Sequence, residues 1–138
     1  MNGIIRFGNG AEVFDVGVVE VAKALLRGQS QTKASMDLTK VTQVMGIILH
    51  DVLARRTLSE DQRRCVQVVG FICGGWSCCA LRMWVDGNKY VMKECAFGLA
   101  LGCDLQQNAE FFRTLVCYRE ISRRTGHTVA YHAESDLE

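Results

Sequence analysis

The longest periodic pattern in the chain runs from Met36 to Arg56. Apolar residues recur there at every third or fourth position, while polar residues such as Thr39, Lys40 and Asp51 occupy the other side of a helical wheel. This spacing predicts an amphipathic helix, preceded by Ser35 as its N-cap. The apolar stripe of such a helix must be buried against another element, so the pattern also predicts a packed core.

Two glycine-containing turn sequences predict β-hairpins. They are Gly8-Asn9-Gly10 and Asp86-Gly87-Asn88, and an Asp-Gly pair between alternating apolar runs is the strongest short-range hairpin signal. The flanking runs cover residues 4–7, 12–14, 76–85 and 89–95. Residues 96–102 fit either an extension of the last strand or a bend, and the sequence does not decide between them.

Three further helices and a final strand are predicted from shorter patterns. The helices cover residues 16–27, 59–73 and 104–125. Asp15 and Ser59 are suitable N-caps for the first two, and Gly126 is a suitable terminator for the third. Residues 127–132 alternate apolar and polar side chains, which predicts a strand.

These elements predict a single α+β domain over residues 1–138. It is helix-rich, with about four helices, and has a small, mostly antiparallel sheet made of the N-terminal hairpin, the central Asp-Gly hairpin and the C-terminal strand. Hydrophobic residues make up 49% of the chain and charged residues 22%, which is the range of globular proteins. No shift in composition marks a domain boundary.

The seven cysteines predict a reducing compartment. An odd count, with no apolar segment of the signal-peptide type near the start, favours reduced thiols and a cytoplasmic location. The stretch 65–85 is mostly apolar and long enough to span a bilayer. However, Gln67, Ser77 and Arg82 interrupt it, and Gly74-Gly75 lies at its centre. A helix end followed by a strand fits better, and no membrane association is expected.

Metal and catalytic chemistry find little support in the residue spacing. The chain has no C-x-x-C pair, and neighbouring Cys78 and Cys79 would face opposite sides of a strand, so no metal and no cofactor are expected. His50, Asp51 and Cys95 are the candidates for a ligand contact or a general base. An ordinary solvated histidine would also lie where His50 does, so no catalytic residue is assigned and an enzymatic activity is not favoured.

Paired arginines are the candidates for phosphate binding. The pairs are Arg55-Arg56, Arg63-Arg64 and Arg123-Arg124. The first two flank a tight turn between predicted helices, an arrangement superficially like a helix-turn-helix. Glu60 and Asp61 lie in the same turn and the net charge is only +1, so nucleic acid is not the expected partner.

Large side chains that fit no single buried face are the candidates for an interface. They are Phe71, Trp76, Trp84, Tyr90 and Met92. Aromatic residues and methionine are enriched in interface cores, which predicts a homo-oligomer, most simply a dimer. We therefore expect a cytoplasmic interaction protein without a cofactor. The alternatives are a small-molecule-binding domain or small enzyme with a pocket between sheet and helices, and a nucleic-acid-binding protein that uses the paired arginines.

Overall fold

The computed structural model describes residues 2–8, 10, 12–21, 31–74, 77–98 and 105–135. The elements follow one another as β1 (Asn2–Gly8), β2 (Val13–Val21), α1 (Gln31–Ala54), α2 (Glu60–Cys65), β3 (Val68–Gly74), β4 (Ser77–Asp86), β5 (Lys89–Gly98) and α3 (Leu105–Ser135). The strands form a five-stranded sheet in the order β1-β2-β3-β4-β5. The protein therefore has an α+β fold.

The sheet is mixed because β2 and β3 are parallel, whereas the other neighbouring strands are antiparallel. A parallel pair cannot be joined by a tight turn and needs a long crossover connection. The part of the chain that contains α1 and α2 supplies it. β4 and β5 are joined by the predicted Asp86-Gly87-Asn88 turn, in which Gly87 has a φ of 62° that favours glycine.

Helix α1 packs on one face of the sheet and forms the main core. Its buried side chains contact alternate residues of β2, β3 and β4, as expected when successive side chains of a strand point to opposite faces. The core residues of α1 are Val41, Met45, Ile48, Leu49, Val52 and Leu53. On the sheet they meet Phe14, Val16, Val18, Val68, Leu81, Met83 and Val85.

Helix α3 covers the opposite face with a smaller cluster. Tyr118 packs on Val69, Phe71, Cys78 and Ala80, and the rings of Tyr118 and Phe71 have their centroids 5.4 Å apart. Further along α3, Val129 joins the main core. The sheet thus lies between two helical layers. None of the described helices is long and apolar enough to cross a membrane.

The two local predictions with the clearest signals are confirmed. Helix α1 covers the periodic stretch as far as Ala54, and both hairpins form. The predicted N-cap Ser35 is wrong, because α1 already begins at Gln31 and Ser35 lies within it. Ser59 caps α2 in a capping box, because its hydroxyl accepts from the backbone N–H of Gln62 and its own N–H donates to the Gln62 side chain. Residues 96–98 extend β5. Asp104 and residues 22–30 and 99–102 lie outside the described residues.

The helix predicted from Val16 is wrong up to Val21, because this stretch belongs to β2. Asp15 lies within the strand and pairs with Arg6 at 3.1 Å instead of capping a helix. The valines that fill one side of a helical wheel also alternate, and their β-branched side chains favour a strand. Glu20 of the same strand is buried and pairs with Lys40 of α1 at 3.4 Å.

The helix predicted to continue to Cys73 is also wrong beyond Cys65. Residues 68–74 form β3, the central strand of the sheet. Strand β3 is buried on both faces, so its sequence is a nearly continuous apolar run without clear alternation. Such a run has the same appearance as a buried helix.

The predicted C-terminal strand is wrong, because α3 continues through Gly126 to Ser135. Its buried residues Tyr118, Ser122, Thr125 and Val129 follow the spacing of a helical face. Glycine fits inside this helix because the ring of Phe7 occupies the space that a Cβ at position 126 would need. The structure therefore has three helices and no C-terminal strand among the described residues.

Candidate functional site

An exposed apolar surface lies where α1 meets the outer strand β5. It consists of Ile47, Tyr90 and Met92, which are 69%, 55% and 37% exposed, and is called here the hairpin patch. Tyr90 and Met92 pair across the sheet with Val85 and Met83, which α1 covers. Because β5 lies one strand further out, its side chains on this face stay accessible. A groove lined by Gln43, Gly46, Ile47, His50 and Tyr90 connects the two elements.

The other interface candidates are not part of the hairpin patch. Phe71 is buried against Tyr118 and belongs to the core beneath α3. Trp84 is half-buried on β4, and the guanidinium of Arg82 lies 5.5 Å from the centroid of its ring. Trp76 lies outside the described residues. Of the predicted set, the fold brings together only Tyr90 and Met92, and the exposed Ile47 was missed because it continues the apolar pattern of α1.

His50 is exposed and borders a cavity of about 290 Å³ beside the β4–β5 turn. Arg63 and Tyr90 line the same cavity, so the fold joins residues from three of the predicted sets. Asp51 pairs with Arg55 at 3.6 Å. No serine, threonine or cysteine is among the described residues that line the cavity, and its hydroxyl and amine groups are those of Tyr90 and Lys89.

Cys95, the third candidate for a ligand or general base, lies on β5 opposite Ala80 of β4. His50 belongs to α1, so the two candidates lie on different elements.

The first arginine pair makes separate contacts within the protein. Arg56 forms an ion pair with Glu12, and the guanidinium of Arg55 lies 5.3 Å from the centroid of the Phe14 ring. Both side chains fix the end of α1 to β2. Arg55 and Arg56 are therefore engaged within the protein, whereas Arg63 and Arg64 line cavities.

Arg64 instead borders a cavity that has a volume of about 630 Å³ and is called here the basic cavity. It lies between α2, the connection to β3 and the C-terminal half of α3. Its lining residues are Arg64, Cys65, Gln67, Ile121, Arg123, Arg124, His127 and Thr128. Three guanidinium groups line it, and no carboxylate is among its described lining residues.

Glu120 is the carboxylate nearest to the α3 arginines. The Arg123 Nε donates to both Glu120 oxygens at 3.1 and 3.2 Å, and Arg124 lies 3.9 Å away. This hydrogen bond lowers the pKa of Glu120 and raises the pKa of Arg123. Arg64 lies 3.9 Å from Asp61 and from Asp86, which is the outer limit for an ion pair. The arginines therefore keep donors for a ligand.

Thr125 anchors the wall of the basic cavity. Its side chain is fully buried, and its hydroxyl donates to the Gln67 carbonyl at 2.8 Å and accepts from the Gln67 N–H at 2.9 Å. These two bonds fix the connection between α2 and β3 to α3. The Gln67 Oε1 is buried and has no hydrogen-bond partner among the described residues.

Two cysteines form a close thiol pair across β3 and β4. Cys73 and Cys78 are register partners, and their Sγ atoms lie 3.0 Å apart. The hydrogen bond from Cys78 lowers the pKa of Cys73 to about 7 and raises that of Cys78. Cys79 packs against the core on the α1 side, as predicted from its position next to Cys78, and its thiol contacts Glu94 at 3.2 Å. Among the described residues, no group of three or more possible ligands could hold a metal ion.

We expect the rate at which the Cys73 thiolate attacks oxidised glutathione, forming a mixed disulfide and releasing one glutathione thiolate, to depend on pH with a midpoint near 7. The thiolate attacks, and the Cys73 thiolate is populated above its pKa of about 7, so the rate should fall about tenfold for each pH unit below it. The measurement is the rate at which the Cys73 thiol is consumed, followed by peptide mass spectrometry, with C79S as the control that keeps the pair. A midpoint near 9 in this protein would contradict the assignment.

The fold thus presents three features suited to binding or to chemistry: the hairpin patch, the basic cavity and the thiol pair. The hairpin patch contains Tyr90 and Met92, which were predicted from the sequence. The basic cavity brings Arg64 together with the α3 arginines through packing that no local pattern reveals. The chain has no significant match among protein-family models, curated proteins or solved structures.

Proposed function

We propose that the protein is a self-associating interaction domain that forms a homodimer through β5 and the hairpin patch. The observation that carries this proposal is the exposure of Ile47, Tyr90 and Met92 beside a strand that has no outer neighbour among the described strands. Such a strand presents unpaired backbone N–H and C=O groups that can pair with another strand.

A two-fold axis at β5 would use both parts of this surface. Antiparallel pairing of two β5 strands, each ten residues long, joins the two sheets by backbone hydrogen bonds. The same axis brings the two hairpin patches to one side of the joined sheet, where Tyr90 and Met92 of each copy are buried. Lys89 and Lys93 on β5 disfavour pairing with unrelated strands, because desolvating a lysine without a matching partner is costly.

The test is the mass of the protein in solution, measured by sedimentation equilibrium over a range of concentrations. We expect the wild-type protein to be a dimer, and we expect I47E and Y90E each to weaken the dimer at least tenfold, because either carboxylate would be buried without a partner. V116E is the matched control, since Val116 is an equally exposed apolar residue on α3, at 66%.

A wild-type protein that stays monomeric up to its solubility limit would refute this function. A dimer that V116E disrupts and Y90E leaves intact would place the interface on α3 and refute the β5 assignment. The circular dichroism spectrum of each variant shows whether it keeps its fold. If a variant loses the dimer and the native circular dichroism spectrum together, the loss reflects unfolding and does not support the proposed interface.

A cytoplasmic location belongs to the same proposal. The cysteines with described side chains are all thiols, and Cys65 and Cys117 among them are exposed. Exposed thiols persist in a reducing compartment and are oxidised outside it. The two alternatives gain less support: the His50 cavity has no serine, threonine or cysteine among its described lining residues, and Arg55 and Arg56 are engaged in internal contacts.

A further inference from the structure

We propose that the basic cavity binds a small phosphorylated molecule that also carries a hydrogen-bond donor, such as a nucleoside monophosphate or a sugar phosphate. The cavity lies between α2 and α3, and none of its described lining residues belongs to the hairpin patch. Ligand binding here is therefore independent of the proposed dimer.

The charge of the lining selects an anion. Arg64, Arg123 and Arg124 converge on the cavity from two separate elements. A guanidinium has five N–H donors, and the contact with Glu120 uses only part of those of Arg123. Guanidinium groups match the geometry of phosphate oxygens, which makes arginine the preferred residue for binding phosphate.

The Gln67 side chain selects a second feature of the ligand. Its Oε1 is buried without a partner, and a buried acceptor in that state is costly unless a donor reaches it. Because Thr125 holds the backbone of Gln67 from both sides, the backbone at this position is fixed before a ligand arrives. Rotation of the Gln67 side chain toward the cavity that it lines would bring Oε1 to a hydroxyl or amine of the ligand while the phosphate meets the arginines.

The size and shape of the cavity favour a small molecule over a nucleic-acid chain. A volume of about 630 Å³ lies within the usual range for small-molecule sites. Ile121 contributes apolar surface for a sugar or base. A nucleic-acid chain is instead followed by an extended basic groove, and the net charge of +1 offers little long-range attraction for a polymer.

Isothermal titration of the wild-type protein with adenosine monophosphate, ribose 5-phosphate, inorganic phosphate and adenosine tests the proposal. We expect both organic phosphates to bind, inorganic phosphate to bind more weakly, and adenosine not to bind. R64Q and R124Q should each weaken the organic phosphates about ten- to a hundredfold, since each removes a charged hydrogen-bond donor. R113Q, on an exposed part of α3 outside the described lining, should leave the affinity unchanged.

Replacing Gln67 tests its contact with the ligand independently of the phosphate contacts that the arginines make. Q67L should weaken adenosine monophosphate and ribose 5-phosphate about tenfold and leave inorganic phosphate unchanged, because only the donor contact is lost. The same change should raise the melting temperature of the ligand-free protein, since it removes an unpaired buried acceptor. If R64Q or R124Q lowers the melting temperature, R64K or R124K keeps the charge and should show an intermediate affinity.

Three results would overturn the proposal. The first is the absence of binding by any of the phosphate probes at millimolar concentration. The second is equal loss of affinity in R113Q and R124Q, which would indicate an unspecific charge effect. The third is displacement of adenosine monophosphate by a single-stranded RNA that binds more tightly than the mononucleotide, which would assign the arginines to a nucleic-acid surface.

Discussion

Replacing Thr125 with valine is expected to lower the free energy of unfolding by about 2–5 kcal/mol. Valine has nearly the same shape as threonine, so the packing around this fully buried residue stays filled. The change removes the hydroxyl that serves both the N–H and the C=O of Gln67. Two backbone groups then lose their partners, and each unpaired buried group costs about 1–3 kcal/mol.

Urea unfolding followed by circular dichroism measures this effect, and T125S is the matched control. Serine keeps the hydroxyl and loses only a methyl group, so we expect it to cost about 1 kcal/mol. Equal stability of the valine and serine variants would show that the hydroxyl does not hold the connection between α2 and β3. All samples are measured at the same protein concentration, because self-association increases the apparent free energy of unfolding.

Replacing Gly17 with alanine is expected to destabilise the protein by about 1–3 kcal/mol. A Cβ at this position of β2 would lie 2.7 Å from Val69 Cγ2 and 2.8 Å from the Val69 carbonyl oxygen. The carbonyl belongs to the backbone of β3, which pairs with β2 in the parallel ladder, and Gly17 is the register partner of Val69. The clash can be relieved only by moving the two strands apart.

Two further glycines serve as controls in the same unfolding measurement. A Cβ at Gly46 of α1 would meet no atom within 4 Å, so G46A should stabilise the protein by about 0.5–1 kcal/mol through the higher helix propensity of alanine. A Cβ at Gly70 would meet the Met45 sulfur at 2.6 Å, and a flexible methionine can move. We expect G70A to cost less than G17A. A G17A variant as stable as G46A would contradict the close approach of β2 and β3.

V69A provides a second check on the backbone origin of the clash. It removes the Val69 methyl groups and leaves the carbonyl in place. We therefore expect V69A combined with G17A to remain destabilised relative to V69A alone. If the double variant is as stable as V69A alone, the clash comes from the Val69 side chain and not from its backbone carbonyl.

Local sequence signals predicted those elements that form from neighbouring residues. The helix around Met45 follows from its own periodicity, and the β4–β5 hairpin follows from Asp86 and Gly87. The valine-rich stretches around Val18 and Val69 were predicted as helices because the same β-branched residues fit one face of a helix or the alternation of a strand. Only the partner strand decides between them, and that partner is distant in the sequence.

The last part of α3 was predicted as a strand for a different reason. Its buried face includes the polar residues Ser122 and Thr125. They interrupt the apolar pattern that would have indicated a helix. Thr125 is buried because its hydroxyl serves the backbone of Gln67, a contact between distant residues. A helical stripe that includes small hydroxyl residues is recognised only when those contacts are known.

The candidate sites show the same limit. Tyr90 and Met92 were predicted as interface residues because they are large side chains that fit no single buried face. The basic cavity depends on α3 lying against the start of β3, which brings Arg64 close to Arg124. The paired arginines were visible in the sequence, but their grouping across helices was not. The Cys73–Cys78 pair likewise follows from the register of two strands.

The parallel pairing of β2 with β3 has a consequence during synthesis. Strand β2 emerges from the ribosome with its inner edge open, and β3 begins at Val68, roughly 50 residues later. At about 5–20 residues per second, this edge stays unpaired for about 2–10 s. Val18 and Val19 then offer an unpaired apolar strand to other nascent chains. The β2 strand is therefore exposed to aggregation during synthesis, and fast translation or a chaperone bound before β3 appears would protect it.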